Sequence, residues 1–174
     1  IPFRAMATDV VHGKEVILSK GSLAFAMRAS MSLPAVFKPM PHEETLLVDG
    51  GVMNNFPTDI AKQMGADIII GSNVGGGMEP IDKLNNLVTV LMQTSMFPSN
   101  IKNPDNRKLC DILVDHMPNL RFSTADFAES NEIYKDGKIA TALNLNALSA
   151  LAEKLKGYKQ RTHELPKVAN EFLV

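Results

Sequence analysis

The stretch Thr45-Leu46-Leu47-Val48-Asp49-Gly50-Gly51 constrains the fold of this chain more than any other. Four residues of strand-forming character end in a carboxylate, and two glycines follow at once. An Asp in that position is carried to the point where a sheet opens into a loop, and glycines there permit positive φ without a Cβ clash. Asp-Gly is also an ordinary turn signal. The motif alone leaves a plain turn and a presented carboxylate both open.

The flanking residues predict an α/β arrangement. Phe3 to Thr8 reads as a strand, Gly13 as a turn and Glu15 to Leu18 as a returning strand. Ser22 suits the N-cap of a helix over Leu23–Ala29, which must end before Pro34. Pro34, Pro39 and Pro41 predict an irregular segment from Leu33 to His42. After the strand Thr45–Val48, Thr58-Asp59 can cap a helix that Gly65 terminates. Ala66 to Val74 contains Ile68-Ile69-Ile70, the pattern of a strand covered on both faces. Strand, helix and strand at this spacing predict a parallel unit.

Further along, Leu84, Leu87, Val88, Leu91 and Met92 recur at helical spacing, predicting one amphipathic helix over Ile81–Met96. That helix can serve as a packing layer. Its Met92 and Met96, with Phe97, can also flank a groove for a flexible tail, because methionine adapts to irregular shapes. Pro98 to Arg107 reads as an exposed loop, and Leu109 to Val114 as a strand. Ser123-Thr124-Ala125-Asp126 reads as a helix start, and Ile139 through Leu155 as one long apolar helix face ending near Gly157.

Several chemistries are disfavoured. The glycine-rich run Gly71 to Gly77 has neither the Gly-x-Gly-x-x-Gly register nor a Gly-Lys-Ser/Thr, so it does not read as a phosphate cradle. A net charge of −1 supplies no basic field for nucleic acid. His12, His42, His116 and His163 lack metal-ligand spacing, and Cys110 is the single cysteine. We therefore expect no metal site and no internal disulfide. No apolar run approaches the roughly 18 residues that a membrane-spanning helix needs, and nothing in the sequence separates a cytoplasmic from a cell-envelope location. The 45% hydrophobic content suffices for a substantial core in one domain.

Two further segments accompany the Asp49 motif. Arg28-Ala29-Ser30-Met31-Ser32-Leu33-Pro34-Ala35-Val36-Phe37-Lys38-Pro39 precedes it; Val52-Met53-Asn54-Asn55-Phe56-Pro57 and Met64-Gly65-Ala66-Asp67-Ile68-Ile69-Ile70-Gly71 follow. This ordered set resembles the patatin-like phospholipase family, which includes bacterial and neuropathy-target-esterase-type lipid acyl hydrolases. The likeness is densest from Pro2 to Val74 and looser to about Leu155.

The resemblance implies a three-layer α/β/α patatin-like sheet, here incomplete. Residues 1–157 would form the C-terminal part of the hydrolase domain, and residues 158–174 a linker or the start of a following segment. It implies a Ser-Asp dyad acting on phospholipid or other lipid esters, without a cofactor, and assigns the acid role to Asp49. In such a site Gly50, Gly51, Asn54 and Asn55 would form the active-site loop. The serine belongs to a Gly-x-Ser-x-Gly elbow, which this sequence lacks; Ile17-Leu18-Ser19-Lys20-Gly21 misses the first glycine. The partner serine is therefore expected before Ile1, and the strand-like opening agrees with a domain already under way.

The dyad reading carries its own expectations. The apolar strand and the proline segment should desolvate Asp49 and raise its proton affinity. Asn54 and Asn55 can bond local backbone or hold the Asp49 loop in place. Thr8-Asp9 reads as a turn former or a site wall. An incomplete sheet exposes an edge that a second copy can pair with, and a lipid substrate implies peripheral contact with a membrane. The alternative is a catalytically silent domain of the same fold that serves binding or assembly.

Overall fold

A computed structural model of the chain describes residues 3–122 and 126–158. The α/β class expected from the sequence is the class found, organised as two sheets. The first is antiparallel, in the order β2-β1-β4-β3, built from β1 (Ala5–Asp9), β2 (Lys14–Leu18), β3 (Met40–His42) and β4 (Thr45–Asp49). The second is the parallel pair β5 (Ile70–Asn73) and β6 (Ile112–Asp115).

β1 is buried along its whole length, flanked by β2 on one edge and β4 on the other. Helix α1 (Leu23–Ser30) lies against this sheet, with Ala26 and Ala29 joining Ala5, Ala7, Leu18 and Leu47 in one core. Small side chains let the helix approach closely. Ser22 caps it as expected, its Oγ accepting the Phe25 N–H at 3.2 Å. The turn between β1 and β2 carries Gly13 at φ +62°.

Asp9 is the turn former at the end of β1. Its carboxylate accepts the N–H groups of Val11 and His12 and the Thr45 hydroxyl, and faces His12 Nδ1 at 2.7 Å. Burial pushes its pKa up, but these hydrogen bonds outweigh burial and hold it well below the usual carboxylate range.

The proline segment is not irregular throughout. Met40–His42 forms the edge strand β3, with Pro41 opposite Leu46. An edge strand tolerates a residue that has no N–H to give.

The expected parallel unit across residues 45–74 does not form. β4 lies in the antiparallel sheet, whereas β5 pairs with β6. Between them run α2 (Gly51–Asn54) and α3 (Thr58–Gln63), and Gly65 at φ +85° ends the latter. Thr58 does not cap α3; its hydroxyl donates to Asn106 O. Nor is the Ile68–Ile70 run covered on both faces: Ile69 is buried while Ile70 is 53% exposed.

The expected helix over Ile81–Met96 is a 3₁₀ turn at Ile81–Lys83 and then α4 (Leu87–Ser95), whose start Asn86 fixes by accepting the Thr89 N–H at 3.0 Å. The expected loop after Pro98 is instead the helix α5 (Phe97–Lys108). Pro98 occupies its first turn, where a missing N–H is harmless. Cys110 lies just ahead of β6 rather than on it.

The long helix expected at the C-terminal side is two, α6 (Ser130–Leu143) and α7 (Leu145–Leu155), separated at Asn144; Asp136-Gly137 lies inside the first. Ala140, Leu148 and Leu151 cover Ile112 and Val114 of β6. The anticipated helix start at Ser123–Ala125 lies outside the described residues, as does nearly all of the anticipated linker after Gly157.

Candidate functional site

Asp49 is the last residue of β4, and three neighbours fix its backbone. Its N–H donates to Ser32 O at 2.9 Å, its carbonyl accepts the Thr8 hydroxyl at 3.0 Å, and β1 pairs alongside. Ser32 is itself completely buried. Its hydroxyl donates to Arg28 O and accepts from Arg28 Nη1, both at 2.6 Å. The Arg28–Ser32 segment therefore positions the strand end.

The Asp49 carboxylate is half-buried, and Oδ1 accepts the Gly51 N–H at 2.6 Å. Burial raises its pKa above the ordinary value of 3.8, and the single Gly51 hydrogen bond offsets only part of that. Among the described residues no cation contributes to the shift. Asp49 is thus a carboxylate of enhanced proton affinity with little to neutralise it locally.

The glycines do not serve the conformation that the sequence suggested. Gly50 has φ −67° and ψ −24°, ordinary helical values, and Gly51 opens α2. Their requirement is close approach. A β-carbon on Gly50 would lie 2.4 Å from the Met6 carbonyl carbon, so the diglycine is pressed onto β1. A β-carbon on Gly51 would lie 2.7 Å from Asn55 Oδ1 and 2.9 Å from Asp49 Oδ1. The gap left by Gly51 is shared by the carboxylate and the Asn55 amide.

The two asparagines behave differently. Asn54 is buried and makes long-range side-chain bonds rather than local ones. Its Nδ2 donates to Glu15 Oε2 at 3.1 Å and Asp59 Oδ1 at 3.0 Å, and its Oδ1 accepts from Asn106 Nδ2 at 2.9 Å. Asn55 is exposed; its backbone N–H donates to Ser99 Oγ at 2.9 Å, and its amide reaches from Gly51 to Gly75. Asn54 anchors α2 from below, and Asn55 projects at its open end.

Residues of α5 complete this support, and reading the segment as a loop missed them. Lys102 Nζ bridges Glu15 Oε1 at 2.6 Å and Asp59 Oδ2 at 2.8 Å. Asn106 also donates to Phe56 O at 2.8 Å. Burial pushes the Asp59 carboxyl up, yet Asn54 and Lys102 together hold it below its usual range. Ser99, Lys102, Asn103 and Asn106 follow i, i+3, i+4, i+7 spacing, a polar helical face that a search for apolar periodicity passes over.

Beyond Asn55 the loop after β5 runs over a cavity of about 370 Å³, lined by Val74, Gly75–Gly77 and, on α4, Val88, Met92 and Met96. Phe97 does not line it. Elsewhere, at the ends of β5 and β6, Ser72 Oγ lies 2.9 Å from His116 Nε2 on an exposed surface. Asp115 pairs with Arg107 at 2.6 Å and accepts from Asn73 at 2.9 Å, so it forms no triad with His116. Among the described residues no three of His, Cys, Asp or Glu gather at one point, and no helix is long and apolar enough to cross a membrane.

Comparison with known proteins bears on the same region. The family model "Patatin-like phospholipase" matches residues 6–62, which contain β1 through most of α3. The "Patatin-like phospholipase domain-containing protein 7" of Mus musculus is 40% identical over 77 residues, 43% of this chain and 6% of that protein. An uncharacterized NTE family protein of Mycobacterium bovis is 37% identical over 76 residues, 44% of this chain and 21% of that protein. A second from the same organism is 40% identical over 58 residues, 33% of this chain and 10% of that protein. The chain thus matches a small part of each relative's length.

Proposed function

We propose, from the match of residues 6–62 to the patatin-like phospholipase model, that the chain contributes the acid member of a Ser-Asp dyad to a lipid acyl hydrolase. The observation that carries the proposal is the Asp49 carboxylate: half-buried, raised in proton affinity, and held at a strand end by Gly51. A carboxylate in water is a poor base for a hydroxyl, and desolvation narrows that gap.

In the proposed reaction a serine Oγ attacks the ester carbonyl carbon and its proton passes to Asp49. The C–O bond to the leaving alcohol breaks, and Asp49 returns the proton to that oxygen. Water then repeats the sequence on the acyl-enzyme, releasing fatty acid and restoring the serine. Because the 174 residues contain no Gly-x-Ser-x-Gly, the nucleophile and the oxyanion donors are read as coming from sequence outside them.

Phospholipid or lysophospholipid esters are the proposed substrates. Leu87 and Leu91 on α4, 72% and 50% exposed, support contact with a lipid surface. Replacing both with Glu should weaken liposome co-sedimentation of the full-length protein, and unchanged binding would remove α4 from that role.

The direct test labels the full-length protein with a serine-directed organophosphonate and maps the adduct, alongside an ester panel. The proposal expects loss of ester turnover on labelling, with the adduct on a Gly-x-Ser-x-Gly serine. An adduct on Ser72 would favour the Ser72–His116 pair as the reacting group instead. Absence of both label and turnover would favour a silent binding domain.

A further inference from the structure

We propose that the cavity between the Gly75–Gly77 loop and α4 holds the acyl chain of the scissile ester, and that Met92 and Met96 set the chain length accepted. The inference rests on the reading of Asp49 as the reacting acid, and adds to it the place and the limits of the substrate's tail.

Continuity is the first argument. The Gly51 gap is bounded by both Asp49 Oδ1 and Asn55 Oδ1, and the Asn55 amide continues to Gly75, where a β-carbon would lie 3.1 Å from its Nδ2. Asn55 also lines the cavity. One exposed amide therefore links the carboxylate to the mouth of the cavity. A donor at that mouth suits an ester, whose carbonyl is polar and whose tail is not.

The second argument is the lining. Val74, Val88, Met92 and Met96 supply an apolar strip in a lining that also carries Glu79, Thr89, Gln93, Ser99 and Asn100, and methionines accommodate a flexible chain without a fixed shape. The volume of about 370 Å³ lies within the roughly 300–1,000 Å³ typical of ligand sites.

The third is that side-chain hydrogen bonds hold the loop bordering the cavity. The Gln93 side chain accepts the Glu79 N–H at 2.6 Å and donates back to Glu79 O at 3.4 Å, while Asn100 Nδ2 lies 3.4 Å from Met78 Sδ. These contacts tie the far end of the glycine loop to α4 and α5. A β-carbon at position 76 would meet only the mobile end of the Met117 side chain, at 2.9 Å from Cε.

The test is a p-nitrophenyl ester series of increasing chain length on the full-length protein, with Met92→Trp and, as a second variant on a more exposed site, Val88→Trp. In the unsubstituted protein kcat/KM should rise roughly fourfold for each methylene buried, then level off when the cavity is full. Each Trp should lower the ratio of long-chain to acetyl ester kcat/KM at least tenfold and move the plateau to shorter chains. Binding of a fluorescent polyene fatty acid, which needs no turnover, should weaken at least tenfold in the same variants.

Folded variants with an unchanged chain-length ratio and unchanged fatty-acid binding would overturn the proposal. Asp49→Asn separates the two readings. If it retains turnover while the Trp variants still shift chain length and fatty-acid binding, the cavity stands and the Asp49 assignment fails; if it is inactive and the Trp variants shift nothing, the cavity fails alone.

Discussion

At the scale of single residues, the two glycines after Asp49 have separable jobs. Gly50 meets main-chain atoms of Met6, which cannot yield, so Gly50→Ala should destabilise the fold by about 3 kcal/mol or more in denaturant titration. Gly51 meets only the ends of the Asp49 and Asn55 side chains. Gly51→Ala should therefore cost about 1 kcal/mol of stability yet lower kcat/KM roughly 100-fold, because the carboxylate must move aside. The pH dependence follows from the same residue. In the proposed dyad Asp49 is a base only when ionised, and burial has raised its pKa above 3.8. The acidic limb of kcat/KM should accordingly have its midpoint above that value, as a pH–rate profile will show. The raised pKa also means that ionised Asp49 opposes folding: its contribution to stability is fully present below the unfolded-state pKa and lost as pH rises through the folded-state value. The motif was legible in the sequence as a strand-end carboxylate; the reason for its glycines was not, since φ and close approach leave the same letters.

At the scale of elements, α5 holds α2 in place and was the least legible part of the chain. Two prolines and three asparagines outweighed everything else in the local pattern, yet Ser99, Lys102 and Asn106 form a polar face that bonds α2, α3 and β2. Tertiary bonding to that face overrode local propensity. Asn106 is central, since its amide donates to both Asn54 Oδ1 and Phe56 O inside the protein. Asn106→Ala leaves buried acceptors unpaired, at about 1–3 kcal/mol each. It should lower the denaturation midpoint and, by loosening α2, reduce kcat/KM more than it changes KM. By contrast α1 was legible because Ser22 and the Ala-rich run state its start and its packing face locally.

At the scale of the whole molecule, the division into two sheets was not legible. The β4-to-β5 spacing matches a parallel crossover, but spacing does not record which strands pair, and β4 is satisfied by β1 and β3. β5 has one partner and one covered side among the described residues, leaving Ile70 exposed. Amides of β5 should exchange with solvent faster than those of β1, which has a strand on each edge; hydrogen exchange on the 174-residue chain will measure the difference. The α/β class and the strand-end acid survive this reorganisation because each depends on local sequence. The most direct test of the account is kcat/KM of the full-length protein on a phospholipid ester, with and without Asp49→Asn. The substitution preserves shape and an acceptor for the Gly51 N–H while removing the proposed base. A loss of about 10³-fold with unchanged folding is the expected result, and turnover within a few-fold of the unsubstituted protein would contradict it.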